Sequence, residues 1–313
     1  MSTGQPLPIR RARDLTQAAP GTRPERDAAF SRLRRGVYAE QSGVEALDDD
    51  AHYLLRVRAV HATRSQTTFA RESALAIHGV PFGIAPSDVY TTGDTRTAGR
   101  KAGIVHASVE LDPKDVVEVG GLRVCSLAYA LADLARRRDA LTAVSALDTA
   151  LHRRSVTKAA VLDALGRQSR RGRVAGEWAV AFADGEAESV GESWSRVRIF
   201  QLGFAAPELQ QWVRGRSGKN YRVDMRWRLD GRRPVYGEFD GMQKYGELAN
   251  QAGKTGTQAL AREKARDDDL LFTGDPAHWV WADVLQPTRL DRILTAYRIP
   301  RLRPPLPTLS RAA

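Results

Sequence analysis

The sequence predicts an α/β protein, of the α+β type, that is built from two separate cores. Segments in which apolar residues recur with helical spacing alternate with short runs typical of strands, in both halves of the 313-residue chain. All six tryptophans lie after residue 175, whereas the first half is rich in alanine, leucine, valine and arginine. The segment 166–173 has two glycines and no apolar residue, so we expect it to connect the two cores.

The composition narrows the class of protein. Hydrophobic residues make up 42% of the chain, which is enough for packed cores. No stretch approaches the roughly 18 consecutive apolar residues of a membrane span, so no membrane association is expected. The arginines near the N-terminus are followed by no apolar run, unlike those of a secretory signal. The single cysteine, Cys125, is predicted to be a small buried hydrophobic residue. These features predict a cytoplasmic protein.

The chain is strongly basic, with a net charge of +11 and clusters of arginine at 32–35, 136–138 and 167–173. Positive charge of this size favours a polyanionic partner, because counterions are released when phosphates are neutralised. We therefore expect nucleic acid as a partner, DNA in preference to RNA. A generally arginine-rich proteome would produce the same charge without such a partner.

The first half contains a turn at Arg35-Gly36 that enters a short strand at Val37-Tyr38. Thr157 is predicted to cap the last helix of this half, and the helix before Gly79 is predicted to end there, with Pro81 beyond it. Helices are predicted over 51–63, 71–78, 127–135, 140–152 and 158–165, and strands at 89–90, 104–105 and 116–119.

The second half is predicted to run helix, three strands, helix, strand and helix. The helices are predicted over 188–201, 258–272 and 289–297, and the strands over 208–213, 221–229, 235–239 and 279–281. The proline-rich segment that starts at Ile299 is predicted to be extended or disordered.

Acidic residues occupy one face of two neighbouring strands of this half. Because side chains alternate along a strand, Asp224 lies on a face with several arginines, and Glu238 and Asp240 share a face of the next strand. If the strands pair with their apolar faces together, the three carboxylates share one surface. The helix over 188–201 adds Glu188 and Glu192, one turn apart.

Such oxygen ligands suit Mg²⁺ or Mn²⁺, and a metal held there can promote hydrolysis of a phosphodiester. The arginines would then position the phosphates of the backbone. The alternative is a solvated hairpin face in which Asp224 pairs with the neighbouring arginines.

Short segments within the second half occur in an order that carries a family resemblance. They are Glu188–Ser193, Tyr221–Asp224, Gly237–Tyr245, Glu263–Asp267 and Trp279–Trp281. This half resembles the domain of unknown function related to the very-short-patch-repair endonucleases, a branch of the PD-(D/E)XK superfamily. The resemblance implies a restriction-endonuclease-like core and a metal held by Glu192, Asp224 and Glu238, with Glu188 as the alternative helix acid.

This chain departs from the superfamily signature at one position. The signature has a lysine two residues after the strand acid, and Asp240 stands there in this chain. Lys244 and Lys264 are the candidates for the missing positive charge, which would orient the water or stabilise the leaving group. The alternative for each is a lysine on the surface.

The first half resembles the AbiEi family of antitoxin-like proteins of type IV toxin–antitoxin systems. The resemblance is carried by Leu33–Tyr38, Arg71–Pro81 and Val124–Leu127. It implies an N-terminal winged helix-turn-helix with its wing at Arg35–Tyr38, and a toxin as a possible partner. Pro20, Gly21 and Pro24 precede the wing and predict shortened, degraded helices there.

Together these observations predict four regions: a degraded winged-helix-like segment over 1–45, an AbiEi-like α/β region over 46–175, a PD-(D/E)XK endonuclease-like domain over 176–298, and a proline-rich tail over 299–313. The leading functional hypothesis is a Mg²⁺-dependent DNA endonuclease. The alternatives are a DNA-binding regulator or antitoxin without catalysis, and an interaction protein of a defence system.

Overall fold

The computed structural model describes residues 7–19, 21, 23–93, 98–241 and 264–306. The α/β fold class is confirmed, because helices are interleaved with mixed and antiparallel sheets. Contacts divide the chain into two compact units. Unit 1 comprises Met1–Ala146 and Ser155–Ala181, and unit 2 comprises Leu147–Arg154 and Phe182–Ala313. The division therefore lies a few residues after the predicted change at 175.

Unit 1 consists of short strands and helices whose predicted positions are largely confirmed. Its strands are β1 (Arg10–Arg11), β2 (Phe30–Arg34), β3 (Val37–Glu40), β4 (Thr68–Phe69), β5 (Val89–Gly93), β6 (Gly99–Lys101), β7 (Ile104–Ser108), β8 (Val116–Val119) and β9 (Leu122–Cys125). The helices that begin in it are α1 (Ala12–Ala18), α2 (Gln41–Glu45), α3 (Asp49–His61), α4 (Arg71–His78), α5 (Leu127–Arg137), α6 (Ala140–His152), α7 (Lys158–Gly166) and α8 (Arg173–Phe182).

The described strands of unit 1 form two sheets. One has the order β1-β3-β2, and the other has the order β6-β7-β5-β4-β9-β8. β2 and β3 are joined by a tight turn in which Gly36 has φ +75°, a conformation that favours glycine. The segment 167–172, predicted to connect the cores, instead joins α7 to α8 within unit 1.

Local signals in unit 1 act as the sequence predicts. The Thr157 hydroxyl accepts a hydrogen bond from the Ala160 N–H and caps α7, and Gly79 ends α4 in the left-handed conformation. Cys125 is fully buried, as predicted, and burial raises the pKa of its thiol to about 12. It is therefore an inert core residue.

Unit 2 contains one four-stranded sheet, among the described residues, with the order β10-β11-β12-β13. Its elements are α9 (Val190–Gln201), β10 (Glu208–Arg214), β11 (Asn220–Trp227), β12 (Val235–Asp240), α10 (helical over 264–270), β13 (Asp275–Val280), α11 (Trp281–Leu285) and α12 (Pro287–Ala296). β10, β11 and β12 pair antiparallel, and β12 pairs parallel with β13.

Apolar clusters cover both faces of this sheet. The larger cluster joins α9 and α12 to the sheet and includes Ile199, Met225 and Trp279. The smaller cluster joins Tyr236 to Leu270 of α10. Because Val235 lies in the first cluster and Tyr236 in the second, adjacent residues of β12 point to opposite faces.

One prediction at the C-terminal end needs correction. The last strand covers Asp275–Val280 rather than 279–281, and Trp281 begins α11. The tail is extended but anchored over its described part. Ile299 is buried, and the N–H groups of Ala205 and Leu302 donate to the Pro300 and Gly203 carbonyls, both at 2.8 Å. No helix among the described residues is long and apolar enough to cross a membrane.

Candidate active site

The acidic residues predicted from the strands come together on the sheet of unit 2. The antiparallel register pairs Met225 with Gly237. Asp224, just before Met225, and Glu238, just after Gly237, therefore lie at neighbouring positions on the two strands. An Asp224 carboxylate oxygen accepts a hydrogen bond from the Phe239 N–H at 3.0 Å, which ties this side chain to β12. Asp240 is close enough for its charge to act on Asp224. The structure thus brings all three carboxylates to one place.

The start of α9 contributes two more carboxylates. The Ser189 hydroxyl caps the helix by accepting from the Glu192 N–H at 3.1 Å. In return, the Glu192 carboxylate accepts from the Glu188 N–H at 3.1 Å and from the Gln210 amide on β10 at 2.8 Å. Glu192 therefore has a capping role as well as a place in the site. We use the name acid cluster for Glu188, Glu192, Asp224, Glu238 and Asp240.

A glycine sets how closely α9 approaches β12. A Cβ atom added at Gly191 would lie 1.9 Å from the Phe239 ring, so no other residue type fits there without a shift. Phe239 in turn packs edge-on against Trp281, with ring centroids 5.0 Å apart. Because Gly191 precedes Glu192 and Phe239 follows Glu238, this contact places the helix acid beside the strand acids.

The acid cluster is electrostatically crowded. Burial raises the pKa of Glu192, and the neighbouring Asp224 raises it further. Burial also raises the pKa of Asp224, with added effects from Asp240 and Glu188. The pKa of Glu238 is raised by burial and by Asp224, against the lowering effect of Arg266. Several carboxylates whose pKa values are raised in one place are typical of a functional site.

Arg266, on α10, is a partly buried cation that contacts the acid cluster. Its guanidinium holds both Glu238 oxygens, at 2.7 and 2.5 Å, and also donates to the Arg222 carbonyl at 2.9 Å. Arginine stays protonated in proteins, so Arg266 serves as a fixed charge and not as a proton carrier. Arg266 and Lys264 are two residues apart in the chain, and the sequence does not reveal which of the two points towards the acid cluster.

The structure describes only one of the two lysines that the sequence predicts for the site. Lys264 is exposed and helical, and the structure shows no hydrogen bond or ion pair from it to the acid cluster among the described residues. Lys244 lies outside the described residues. Of the described residues 264 and 266, Arg266 rather than Lys264 contacts Glu238.

Most of the arginines beside the cluster are paired with acids. Arg222 binds Glu188 at 2.6 Å, and both side chains are partly exposed. Arg226 and Arg228 both bind Glu208 at 2.5 Å. The alternative of a solvated hairpin face supposes that these arginines pair with Asp224. Arg222, Arg226 and Arg228 instead pair with glutamates.

A histidine that does not stand out in the sequence completes the site. The parallel register places His278 of β13 beside Glu238. Its ring contacts Asp240 at 3.1 Å and Asp267 at 3.5 Å, and the hydrogen bond with Asp240 raises the pKa of His278. The histidines of this chain have no ligand-like spacing, so only the pairing of β12 with β13 reveals this contact.

Of the three consecutive aspartates over 267–269, Asp268 is exposed to solvent and the other two make contacts. Asp267 contacts His278, and the Asp269 carboxylate accepts hydrogen bonds from the Ser217 N–H at 2.7 Å and the Ser217 hydroxyl at 2.6 Å.

The acid cluster has the ligand types that suit a divalent metal. The cluster offers carboxylate oxygens, the ligand type that Mg²⁺ and Mn²⁺ prefer. As they lie, no three histidine, cysteine, aspartate or glutamate side chains of the described residues are grouped to hold a metal ion. Both Glu238 oxygens hold Arg266 instead. The residue types fit the metal. For the metal to bind Glu238, the carboxylate would have to release Arg266.

Comparison with protein-family models gives no match. The chain is similar to two proteins of Mycobacterium tuberculosis, the uncharacterised proteins MT2308 of strain CDC 1551 and Rv2248 of strain H37Rv. The identity to each is 34% over 110 residues, which is 35% of this chain. The chain spans 41% of the length of these relatives.

Among solved structures, the chain is similar to the crystal structure of the RV2827C protein of the same species. The match has a TM-score of 0.37 and 13% identity, and it covers 55% of this chain and 71% of that one. A likeness this distant supports no argument about fold or function.

Proposed function

We propose that unit 2 is a metal-dependent DNA endonuclease module that hydrolyses phosphodiester bonds at the acid cluster. The observation that carries this proposal is the crowding of five carboxylates from the start of α9, β11 and β12, of which Glu238 binds the partly buried Arg266. Buried carboxylates that repel one another destabilise a fold unless a cation offsets their charge. A divalent cation bound between these carboxylates and a phosphate group would offset their charge.

The order of elements in unit 2 supports the proposal. Unit 2 has a helix, three antiparallel strands, a helix and a strand parallel to the third, which is the order of elements that the sequence predicts for this half. The basic character of the chain supports DNA as the polyanion. We also propose a cytoplasmic location, in line with the single buried thiol.

Each residue of the site receives a role. Glu192, Asp224 and Glu238 would hold Mg²⁺ or Mn²⁺, with Glu188 as the alternative helix acid. The bound ion would lower the pKa of its water and offset the charge that develops on the phosphate. Arg266, once it releases Glu238, presents N–H donors whose geometry matches two phosphate oxygens. Asp240, oriented by His278, positions the attacking water.

A second candidate function is binding without catalysis, as a DNA-binding regulator or as an antitoxin with a toxin partner. One observation favours it. Arg266 already neutralises Glu238 through two hydrogen bonds, and Asp240 stands where the superfamily has its lysine. A site neutralised internally by arginine retains a stable fold without a metal.

Cleavage assays separate the two functions. Plasmid, mismatched duplex and single-stranded DNA are incubated with the full chain in Mg²⁺ or Mn²⁺. The same assay is run with Asp224→Asn and with a matched control, Asp268→Asn, which changes an exposed acid of the same unit. We expect cleavage that needs the metal, is lost in Asp224→Asn and persists in the control.

Two outcomes would contradict the endonuclease. Undiminished cleavage by Asp224→Asn would place the chemistry elsewhere in the molecule or in a contaminant. Absence of cleavage on all three substrates, together with DNA affinity that falls steeply with salt, would support the non-catalytic regulator.

A further inference from the structure

Trp212 on β10 is an aromatic side chain that the fold does not bury. It is 67% exposed, although the next residue, Val213, is buried in the smaller cluster. Neighbouring residues of a strand point to opposite faces, so Trp212 points away from that cluster. Large aromatic side chains left on a surface are frequent at binding sites, where one face of the ring is available for stacking.

The strand register places Trp212 beside the two helix acids of the acid cluster, Glu188 and Glu192. Its partner across the antiparallel pair is Arg222, whose guanidinium binds Glu188 at 2.6 Å. Two residues earlier on β10, the Gln210 amide binds Glu192. Trp212 is therefore next to side chains that contact both helix acids.

Spacing along the strands relates Trp212 to the scissile bond. Asp224 lies two residues after Arg222 on β11, and two residues of an antiparallel strand span about 7 Å. This is about the length of one nucleotide in an extended strand. A strand with one phosphate at Asp224 would thus bring a neighbouring base to Trp212.

The charge around Trp212 is suited to a phosphate backbone. Arg214, two residues further along β10, is exposed and lies towards the hairpin turn that also contains Lys219. Cations beside an exposed aromatic ring are the pattern by which proteins bind single strands, because cations contact the phosphates and bases stack on the ring. A base in a duplex is already covered on both faces, whereas an unpaired base has a face free to stack.

We propose that Trp212 and Arg222 form a stacking site for an unpaired base of single-stranded DNA that passes over the acid cluster. This inference rests on the proposed function, because it names the substrate class of the same site. Trp212 supplies the ring on which the base stacks. Arg222 and Arg214 lie along the path of the phosphates on either side of it.

Binding measured without metal tests the site separately from cleavage. Fluorescein-labelled oligothymidine and a hairpin duplex of equal charge are titrated with the full chain in EDTA and followed by anisotropy. We expect Trp212→Ala to weaken oligothymidine binding about tenfold, the loss of one base stack, and to change duplex binding little. Trp212→Phe restores most of the affinity, since a ring remains. Phe272→Ala, which removes another exposed aromatic ring of unit 2, leaves the affinity unchanged.

The outcomes separate this inference from the proposed function. Equal oligothymidine affinity for Trp212→Ala and the wild type would overturn the stacking site, even if Asp224→Asn abolishes cleavage. A loss in Trp212→Ala that Trp212→Phe repairs supports it, even if no DNA is cleaved. Binding of oligouridine that depends on Trp212 and is tighter than that of oligothymidine would overturn the assignment to DNA.

Discussion

Replacement of Arg266 by glutamine is the change that best tests the electrostatics of the acid cluster. Arg266→Gln removes both hydrogen bonds to Glu238, whose side chain is only 12% exposed, and leaves the repulsion from Asp224 in place. Loss of one partner of a buried ion pair costs about 3–5 kcal/mol. Glu238 can take up a proton and so avoid being left buried with an unpaired charge. We therefore expect the free energy of unfolding to decrease by about 3 kcal/mol, the lower end of this range.

Magnesium should act differently on the two proteins. In the wild type, the metal must compete with Arg266 for Glu238, whereas in Arg266→Gln the carboxylate is free to bind it. A ligand that binds only the folded state stabilises it by RT ln(1 + [L]/Kd), so tighter binding gives a larger increase in stability. We therefore expect millimolar Mg²⁺ to raise the unfolding free energy of the variant more than that of the wild type.

Urea denaturation with and without Mg²⁺ measures both effects. Arg228→Gln is the matched control, because Arg228 also binds a glutamate with two nitrogens, but its side chain is 71% exposed. This control should lose less than about 1 kcal/mol and show no change in its response to Mg²⁺. If Arg266→Gln is as stable as the control, or responds to Mg²⁺ no more than the wild type does, the account of the cluster is refuted.

Two further changes test the packing and the burial of unit 2. Gly191→Ala should lower the unfolding free energy by about 1–3 kcal/mol through the clash with Phe239 and reduce any cleavage. Gly166→Ala, whose Cβ would meet no atom within 4 Å, should be tolerated, and equal stability of the two would contradict the contact. Burial raises the pKa of Asp148 from 3.8 to about 6 despite its ion pair with Arg196. Because the folded pKa is the higher one, the stabilising contribution of the protonated carboxyl is complete below pH 3.8 and is lost as the pH rises through about 6. Asp148→Asn should remove this component from the pH dependence of urea unfolding between pH 4 and 7, and an unaltered profile would rule it out.

Local sequence patterns predict most elements of this fold. The alternation along β11 and β12 predicts that Asp224, Glu238 and Asp240 share one side, because side chains of a regular strand point alternately to its two faces. The cap at Thr157 and the helix end at Gly79 are likewise local, since each depends on a single residue and its backbone. The error at Trp281 arises because a short apolar run fits a strand as well as the start of a helix.

The sequence by itself determined the α/β class and the carboxylates of the candidate site. Only the tertiary structure decided which cation faces them. Arg266 and Lys264 lie on the same helix, and the packing of Leu270 against Tyr236 orients that helix over the sheet. In that orientation, the arginine reaches Glu238 and the lysine remains in solvent. His278 joins Asp240 through the parallel pairing of β12 with β13, strands that are separated by more than thirty residues of chain. No local pattern encodes such a register, because it depends on how distant segments pack.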